Sequence, residues 1–312
     1  MIVILAILAD LILGTPENFP TSLDLINFIL DTEENLIRKT VKTQTQARVA
    51  GLILSIVNVL VGYFITKSFI GFFEFNKALQ FVVKIHLSYM LLSSGALKRQ
   101  ALLIKSEMKK STKRGRAVLS NFVSRDTDKL SNSGIIKASV EAISKESCDQ
   151  VFAPIIFLLF GVEIAYVYVI ISLMDKSWNN DKELSEDLAF FPTKAHDILN
   201  IIPARLSSLF LLLGGLVRFN TKRALKITLR DHKNQGKASI AWPQSTMAGL
   251  LGIQLGGGAF YDGIFVEKAH IGDDTRSVRA KDIDDSIKIL RRSMLSFLIL
   301  YSIGLLIYTL VR

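Results

Sequence analysis

Apolar residues in this chain fall in long blocks separated by charged stretches, not in the short alternation of a half-buried sheet. A helix that crosses a bilayer needs about 20 mostly apolar residues. Residues 293–311 (SMLSFLILYSIGLLIYTLV) satisfy this with no charge, and residues 49–66 (VAGLILSIVNVLVGYFIT) come close. Residues 151–174 exceed it with one acid, Glu163, inside. Residues 198–217 carry only Arg205 near their start, residues 78–97 carry Lys84 and His86, and residues 1–13 are shorter and hold Asp10. The pattern predicts an all-α, polytopic integral membrane protein with about five or six membrane-embedded helices and cytoplasmic helical loops. One domain over residues 1–312 is expected.

Two details of that layout stay open. A bare glutamate at mid-depth is costly in hydrocarbon. Residues 151–174 therefore either cross once, or break at Gly161-Val162-Glu163 into a re-entrant hairpin. Residues 1–13 lack the basic start and small-residue cleavage site of a signal peptide, and Gly14-Thr15-Pro16 follows as a turn, so a retained short helix is expected. Between the blocks, residues 33–46 are polar with helical propensity, and residues 135–143 have near-helical apolar spacing. Residues 282–292 (DIDDSIKILRR) place Ile283, Ile287 and Leu290 on one face of a helix feeding the last apolar block.

Charge adds orientation. The net charge of +10 is concentrated at residues 98–116, with eight Lys and Arg against Glu107, and at residues 218–237, with seven against Asp231. By the positive-inside rule both stretches face the cytoplasm, in the cell membrane. Their position beside apolar blocks favours a lipid bilayer over nucleic acid as partner. The one cysteine, Cys148, excludes an internal disulfide framework and reads as a small buried side chain.

Recognisable chemistry is sparse. No Gly-x4-Gly-Lys-Ser/Thr loop, zinc-type cysteine pair or His-Glu-x-x-His run occurs, and His86, His196, His232 and His270 lack ligand spacing. Residues 241–263 (AWPQSTMAGLLGIQLGGGAFYDG) hold six glycines, each costly wherever regular structure was available. Such a run implies close backbone approach or tight turns. Polar residues otherwise gather at the ends of apolar blocks: Arg125, Asp126, Glu141, Asp149, Asp175, Glu183, Asp197, Asn200, Arg205, Arg230 and Asp231. Each has a structural reading as well. Arg230-Asp231 suits a local ion pair, Arg205 a snorkelling anchor, Trp242 an interface belt, and Gly249, Gly252 and Gly256 close helix contact.

The order of these residues carries a resemblance. Ile202-Pro203-Ala204-Arg205-Leu206, then Arg230-Asp231, Trp242-Pro243, Met247-Ala248-Gly249, Leu255-Gly256-Gly257, Tyr261 and Gly263 resemble the cobalamin-biosynthesis CobD/CbiB family, adenosylcobinamide-phosphate synthase. Upstream, Asp10, Gly14-Thr15-Pro16, Ser124-Arg125-Asp126-Thr127, Glu141, Asp149 with Ala153-Pro154, Asp175, and Asp197 with Asn200 fall in the same order. The likeness covers nearly the whole chain. Departures are Thr15, Thr21-Ser22, Ser144-Lys145-Glu146, the segments 172–177 and 179–183, His196, Gln235, Ser239 and Gln244, where that family carries other residues. Lys145, Glu146, Asp181 and His196 lie beside the vacated positions.

The resemblance implies an ATP-dependent ligase that joins aminopropanol phosphate to a propionate of the corrinoid adenosylcobyric acid. It implies ATP and Mg²⁺, with other membrane-bound cobamide-assembly enzymes as neighbours. Catalytic roles would fall to Arg125, Asp126, Glu141, Asp149, Asp175, Asp197 and Arg205, with metal at Asp126 and Asp149. Ligand contacts would fall to Arg230, Asp231, Trp242, Gly256, Gly257, Tyr261 and Lys268, the glycines admitting a phosphate or the flat corrin. The alternative is a non-catalytic membrane sensor or scaffold similar to the AmpE-type branch.

Overall fold

Helix starts are set by short polar side chains that accept hydrogen bonds from the first free backbone N–H groups. Thr21 and Asp24 form a reciprocal capping box, while Thr43, Asn76, Ser111, Ser131 and Asn220 each cap a helix. The computed structural model describes residues 1–15, 21–179, 184–234 and 236–312. The turn expected at Pro16, the positions Asp181 and Glu183, and Gln235 lie outside the described residues.

The helices, in chain order, begin with α1 (Ile2–Leu13), α2 (Ser22–Thr40), α3 (Gln44–Phe72) and α4 (Lys77–Met90). Next come α5 (Ser94–Lys110), α6 (Thr112–Leu119) and α7 (Asn132–Ser147), which runs into a π-helical turn (Cys148–Phe152). Then follow α8 (Ala153–Leu158), α9 (Val162–Trp178), α10 (Ser185–Leu188), α11 (Phe190–Leu199) and α12 (Ile201–Gly215). The last are α13 (Thr221–Asp231), α14 (Ala238–Leu251) and α15 (Ala280–Val311). Four short strands, β1 (Leu255–Gly256), β2 (Ala259–Tyr261), β3 (Ile264–Val266) and β4 (His270–Ile271), form two antiparallel pairs, β1 with β4 and β2 with β3. The all-α expectation holds apart from these ribbons.

The chain forms two units, Met1–Ser93 with Ala153–Asn200, and Ser94–Phe152 with Ile201–Arg312. In the first, α3 and α11 pack on α9 around Leu30, Ile170, Met174 and Trp178. In the second, α12 packs on α15, and α13 and α7 on α14, around Val140, Leu211, Met247, Ile283 and Ile287. The amphipathic reading of 282–292 is met: Ile283, Ile287 and Leu290 are all buried.

By length and composition, α3 and α15 can each cross a membrane, and α11 with α12 make a third span if counted as one broken helix. Both long helices leave their apolar sides bare, for example Ile53, Leu60 and Phe64 on α3 and Ile299, Ile303 and Leu306 on α15. Contiguous patches of that size are rare on soluble monomers and suit hydrocarbon as solvent.

The other apolar blocks fold as shorter or bent pieces. The block at 78–97 ends its helix at Met90, and 1–13 makes the twelve-residue α1. The block at 151–174 is a helical hairpin, not one span: Phe157 of α8 stacks on Tyr168 of α9 with ring centroids 4.6 Å apart. In an unbroken helix those positions would lie roughly 16 Å apart. Gly161, at φ 131°, starts α9, which places Glu163 in the first helical turn. A carboxylate there faces the positive end of the helix dipole, so the acid is not stranded at mid-helix.

Candidate active site

The second unit assembles its charged site from three distant parts of the sequence. Arg125 follows α6, Glu141 lies in the middle of α7, and the strands 255–271 close over both. The Arg125 guanidinium pairs with the Glu141 carboxylate, both largely buried. Glu141 Oε1 also accepts the Gly256 N–H at 2.7 Å, and its main-chain carbonyl accepts Gln244 Nε2 at 3.1 Å. The Asp126 N–H donates to the Phe260 carbonyl at 2.8 Å, and Asp126 Oδ2 accepts the Gly263 N–H at 2.8 Å. Lys268 donates to the Tyr261 hydroxyl and lies 4.3 Å over its ring. Burial pushes the Arg125 guanidinium below its usual pKa, with neighbouring Tyr261 acting the other way. Six predicted residues, Arg125, Asp126, Glu141, Gly256, Tyr261 and Lys268, therefore share one locale.

The glycines do make a close approach, but to the chain itself. A Cβ on Gly256 (φ 72°) would lie 2.5 Å from the Ala269 carbonyl oxygen. One on Gly257 (φ 86°) would meet the His270 ring at 2.7 Å, and one on Gly258 the Phe265 ring at 2.1 Å. The stretch from 241 to 263 comprises most of α14, a left-handed cap at Gly252, and strands β1 and β2. Asp262-Gly263 turns β2 into β3 with φ 47° and 76°, the sequence signal of a tight hairpin that the glycine count overshadowed.

Asp149 stands in a second group. It lies on the π-helical turn, a feature often found at functional sites. The Lys145 ammonium reaches Glu146 Oε1 at 3.1 Å and Asp149 Oδ2 at 3.5 Å, and both carboxylates are buried. The metal pairing expected of Asp126 with Asp149 is not assembled as a cage: among the described residues no group of three or more His, Cys, Asp or Glu is placed to hold a metal. Mg²⁺ typically uses one or two carboxylates and takes its remaining ligands from phosphates and water. Glu146 and Asp149 lie together on one ammonium, Glu146 Oε2 also accepting from Gln150 Nε2, while Asp126 Oδ2 accepts from Gly263.

Arg205 lies 5.2 Å over the Trp242 ring, whose indole also sits 4.4 Å from His232. His232 was not singled out; no spacing rule links it to Trp242. Arg230 and Asp231 form a two-pronged ion pair at 2.6 and 2.8 Å, and Arg230 reaches Asp273 at 2.9 Å. Asp231 Oδ2 further accepts the Gly272 N–H at 2.8 Å. This group ties the strand segment to α13 and matches the local ion-pair reading.

In the first unit, Asp175 meets His196 Nδ1 at 3.1 Å and accepts from Thr193. His196 Nε2 contacts Asn200 at 2.7 Å, whose Oδ1 accepts the Tyr168 hydroxyl at 3.1 Å. The departure at His196 is thus filled by a partner of Asp175. Asp197 is the next residue on α11.

These features define a helical protein with membrane-length apolar helices and a site of paired cations and carboxylates held between α7 and the strand ribbons. A family model described as CobD/Cbib protein matches residues 3–290, and the chain belongs to that family. Cobalamin biosynthesis protein CobD of Clostridium perfringens is 31% identical over 300 residues, 95% of this chain and 94% of its own. Its namesake in Citrobacter koseri is 29% identical over 290 residues, 92% and 91% of the two chains. Cobalamin biosynthesis protein CbiB of Salmonella arizonae is 29% identical over 285 residues, 90% and 89%. No solved structure matches.

Proposed function

We propose that the chain is a membrane enzyme of cobalamin biosynthesis, adenosylcobinamide-phosphate synthase. It joins the amine of aminopropanol phosphate to a propionate carboxylate of adenosylcobyric acid. The observation that carries this reading is the convergence of Arg125, Glu141, Gly256, Tyr261 and Lys268 on one partly buried locale. The carboxylate is activated by phosphoryl transfer from ATP, with ADP as leaving group, and the amine then displaces phosphate from the acyl phosphate, losing a proton as the amide forms. Arg125 and Lys268 are the cations that offset charge on the phosphoryl and carboxyl oxygens, where fixed donors act without reorganising. Glu141 holds the Arg125 guanidinium in place. Tyr261 orients the Lys268 ammonium. Glu146 and Asp149 would hold Mg²⁺, which supplies neutralisation of phosphate charge.

The reading includes five or six membrane-embedded helices in the cell membrane, with 98–116 and 218–237 on the cytoplasmic side. Accessibility of Lys110→Cys to a membrane-impermeant label from the cytoplasmic side alone is the expected result.

The decisive experiment is complementation of a strain lacking the synthase, grown on cobyric acid. Growth with the wild-type chain, and its loss with Lys268→Met and Asp149→Asn at normal membrane levels, is expected. One such contact made in the transition state is worth about 3 kcal/mol, or two or more orders of magnitude in rate. A well-folded chain that fails to complement would be the non-catalytic sensor or scaffold instead.

A further inference from the structure

Helix α13 has two unlike faces. Ala224, Ile227, Thr228 and Asp231 are buried. They face α14, where Gly249 lets the helices close so tightly that a Cβ there would sit 2.5 Å from Ala224 Cα. The opposite face presents Lys222, Leu225, Lys226 and Leu229, with Lys233 just beyond the helix, all exposed and spaced by helical turns. Leu216, Val217 and Arg218 lead into it, Val217 being 79% exposed. Arg218, Lys222, Lys226 and Lys233 make no ion pair among the described residues, and Asp231 is turned inward to Arg230 and Gly272.

The level of this face follows from α12 and α15, which run antiparallel. Phe210 packs on Phe297 at 5.1 Å, and Gly214 abuts Ile289 and Ser293. On α15 that contact marks the change from charged residues, ending at Arg291-Arg292, to an uncharged run from Ser293 to Val311. The chain therefore leaves α12 where the apolar layer ends, and α13 starts within a few residues of that plane.

We propose that α13 lies on the bilayer surface and binds anionic lipid headgroups. Leu216, Val217, Leu225 and Leu229 enter the acyl boundary, while Arg218, Lys222, Lys226 and Lys233 meet the phosphates. Cations and leucines interleaved on one helical face at the edge of an apolar layer match an interfacial helix. They match neither a nucleic-acid groove, which has no use for the leucines, nor a protein contact indifferent to lipid charge. The inference rests on the membrane reading above, and goes beyond it in assigning a lipid class to one face.

The test uses the full chain in nanodiscs of phosphatidylcholine, with and without phosphatidylglycerol. Leu225→Cys, in a Cys148→Ser background, carries an environment-sensitive fluorophore, and Leu229→Cys serves as a second site. Quenching by lipids with a shallow spin label should rise about twofold or more when phosphatidylglycerol is present. Lys222→Gln with Lys226→Gln should abolish that rise. Quenching by aqueous iodide alone, or a lipid response that ignores charge, overturns the proposal. So does protection of the label by nucleic acid or a second copy of the chain in neutral discs. Flotation with phosphatidylcholine vesicles after an alkaline wash tests the membrane reading separately. A chain that floats while its label stays in water refutes only the assignment of α13, whereas a chain that does not float refutes both.

Discussion

Glu141→Gln is the sharpest test of how the charged site is held together. The Arg125 and Glu141 side chains are only 17% and 5% exposed, so water does little to replace a lost partner. Removing one member of a buried pair costs roughly 3–5 kcal/mol, because the other charge stays buried and uncompensated. Glutamine keeps an oxygen for the Gly256 N–H, which places it near the lower end, at about 3 kcal/mol. At roughly 2–4 °C per kcal/mol for a chain of this size, the unfolding midpoint should fall by about 6–12 °C. Glu141→Ala also strands the Gly256 N–H and should cost about 1–2 kcal/mol more. Replacing both partners, Arg125→Met with Glu141→Met, leaves no orphaned charge and should recover much of the loss. Thermal unfolding of wild type, Arg125→Met, Glu141→Met and the double variant in one detergent, followed by helical circular dichroism at a fixed scan rate, closes a double-mutant cycle and gives the coupling energy. A Glu141→Gln protein melting with wild type, or single losses that simply add in the double variant, would refute the buried pair.

Three further outcomes are expected. Gly263→Ala, at φ 76° with open space around it, should cost about 1 kcal/mol, whereas Gly256→Ala adds collision with the Ala269 carbonyl and should cost about twice that or more in the same melts. Arg230's hydrogen bonds, opposed by burial and aided by the Gly272 N–H, hold the Asp231 carboxyl below its usual range. With the folded pKa below the unfolded one, that stabilisation is complete above about pH 4 and drains as pH falls through the folded value. Asp231→Asn should therefore lose less midpoint than wild type between neutral and acid pH, and equal losses would remove Asp231 from the account. Burial, with the charge of Asp149 beside it, pushes the Cys148 thiol well up, so maleimide should modify it only after unfolding; rapid labelling of the native protein, read by mass, would contradict that packing.

Helix-forming stretches are legible where apolar periodicity is clear, as along Ile283, Ile287 and Leu290; α13, capped by Asn220, lies in a stretch whose charge alone was expressive. The breaks inside apolar blocks were harder to read. Gly161, which precedes a costly glutamate, follows the end of α8 by a short turn and caps the start of α9. The stop at Met90 carries no comparable signal, since Leu91 and Leu92 continue the apolar run. At the site, family order points to Arg125, Asp126, Glu141 and Tyr261, and charge adds Lys268. Asp149 stands four residues after Lys145, ordinary helical spacing, so that contact is open to sequence reading once Lys145 is counted with the site. The glycine run implies close approach, and Gly256, Gly257 and Gly258 lie close against other parts of the chain. Their partners were hidden, because Ala269, His270 and Phe265 return only after a hairpin that periodicity does not register.

The hairpin of β2 and β3 is fastened to its neighbours in an unusual place. Asp126 meets Phe260 through main-chain atoms alone, and the Gly263 N–H is likewise a backbone group. The exposed faces of Phe260, Ile264 and Phe265 take no part in these links. Residues 259–266 are thus seated largely through peptide groups, while Phe265 covers Gly258 and Phe260 lies under Lys129: Ile264 is an outward side chain that can change while the segment still seats against Arg125-Asp126. Recombination between relatives, or a designed library confined to that position, would vary the surface beside the site while leaving its mounting untouched.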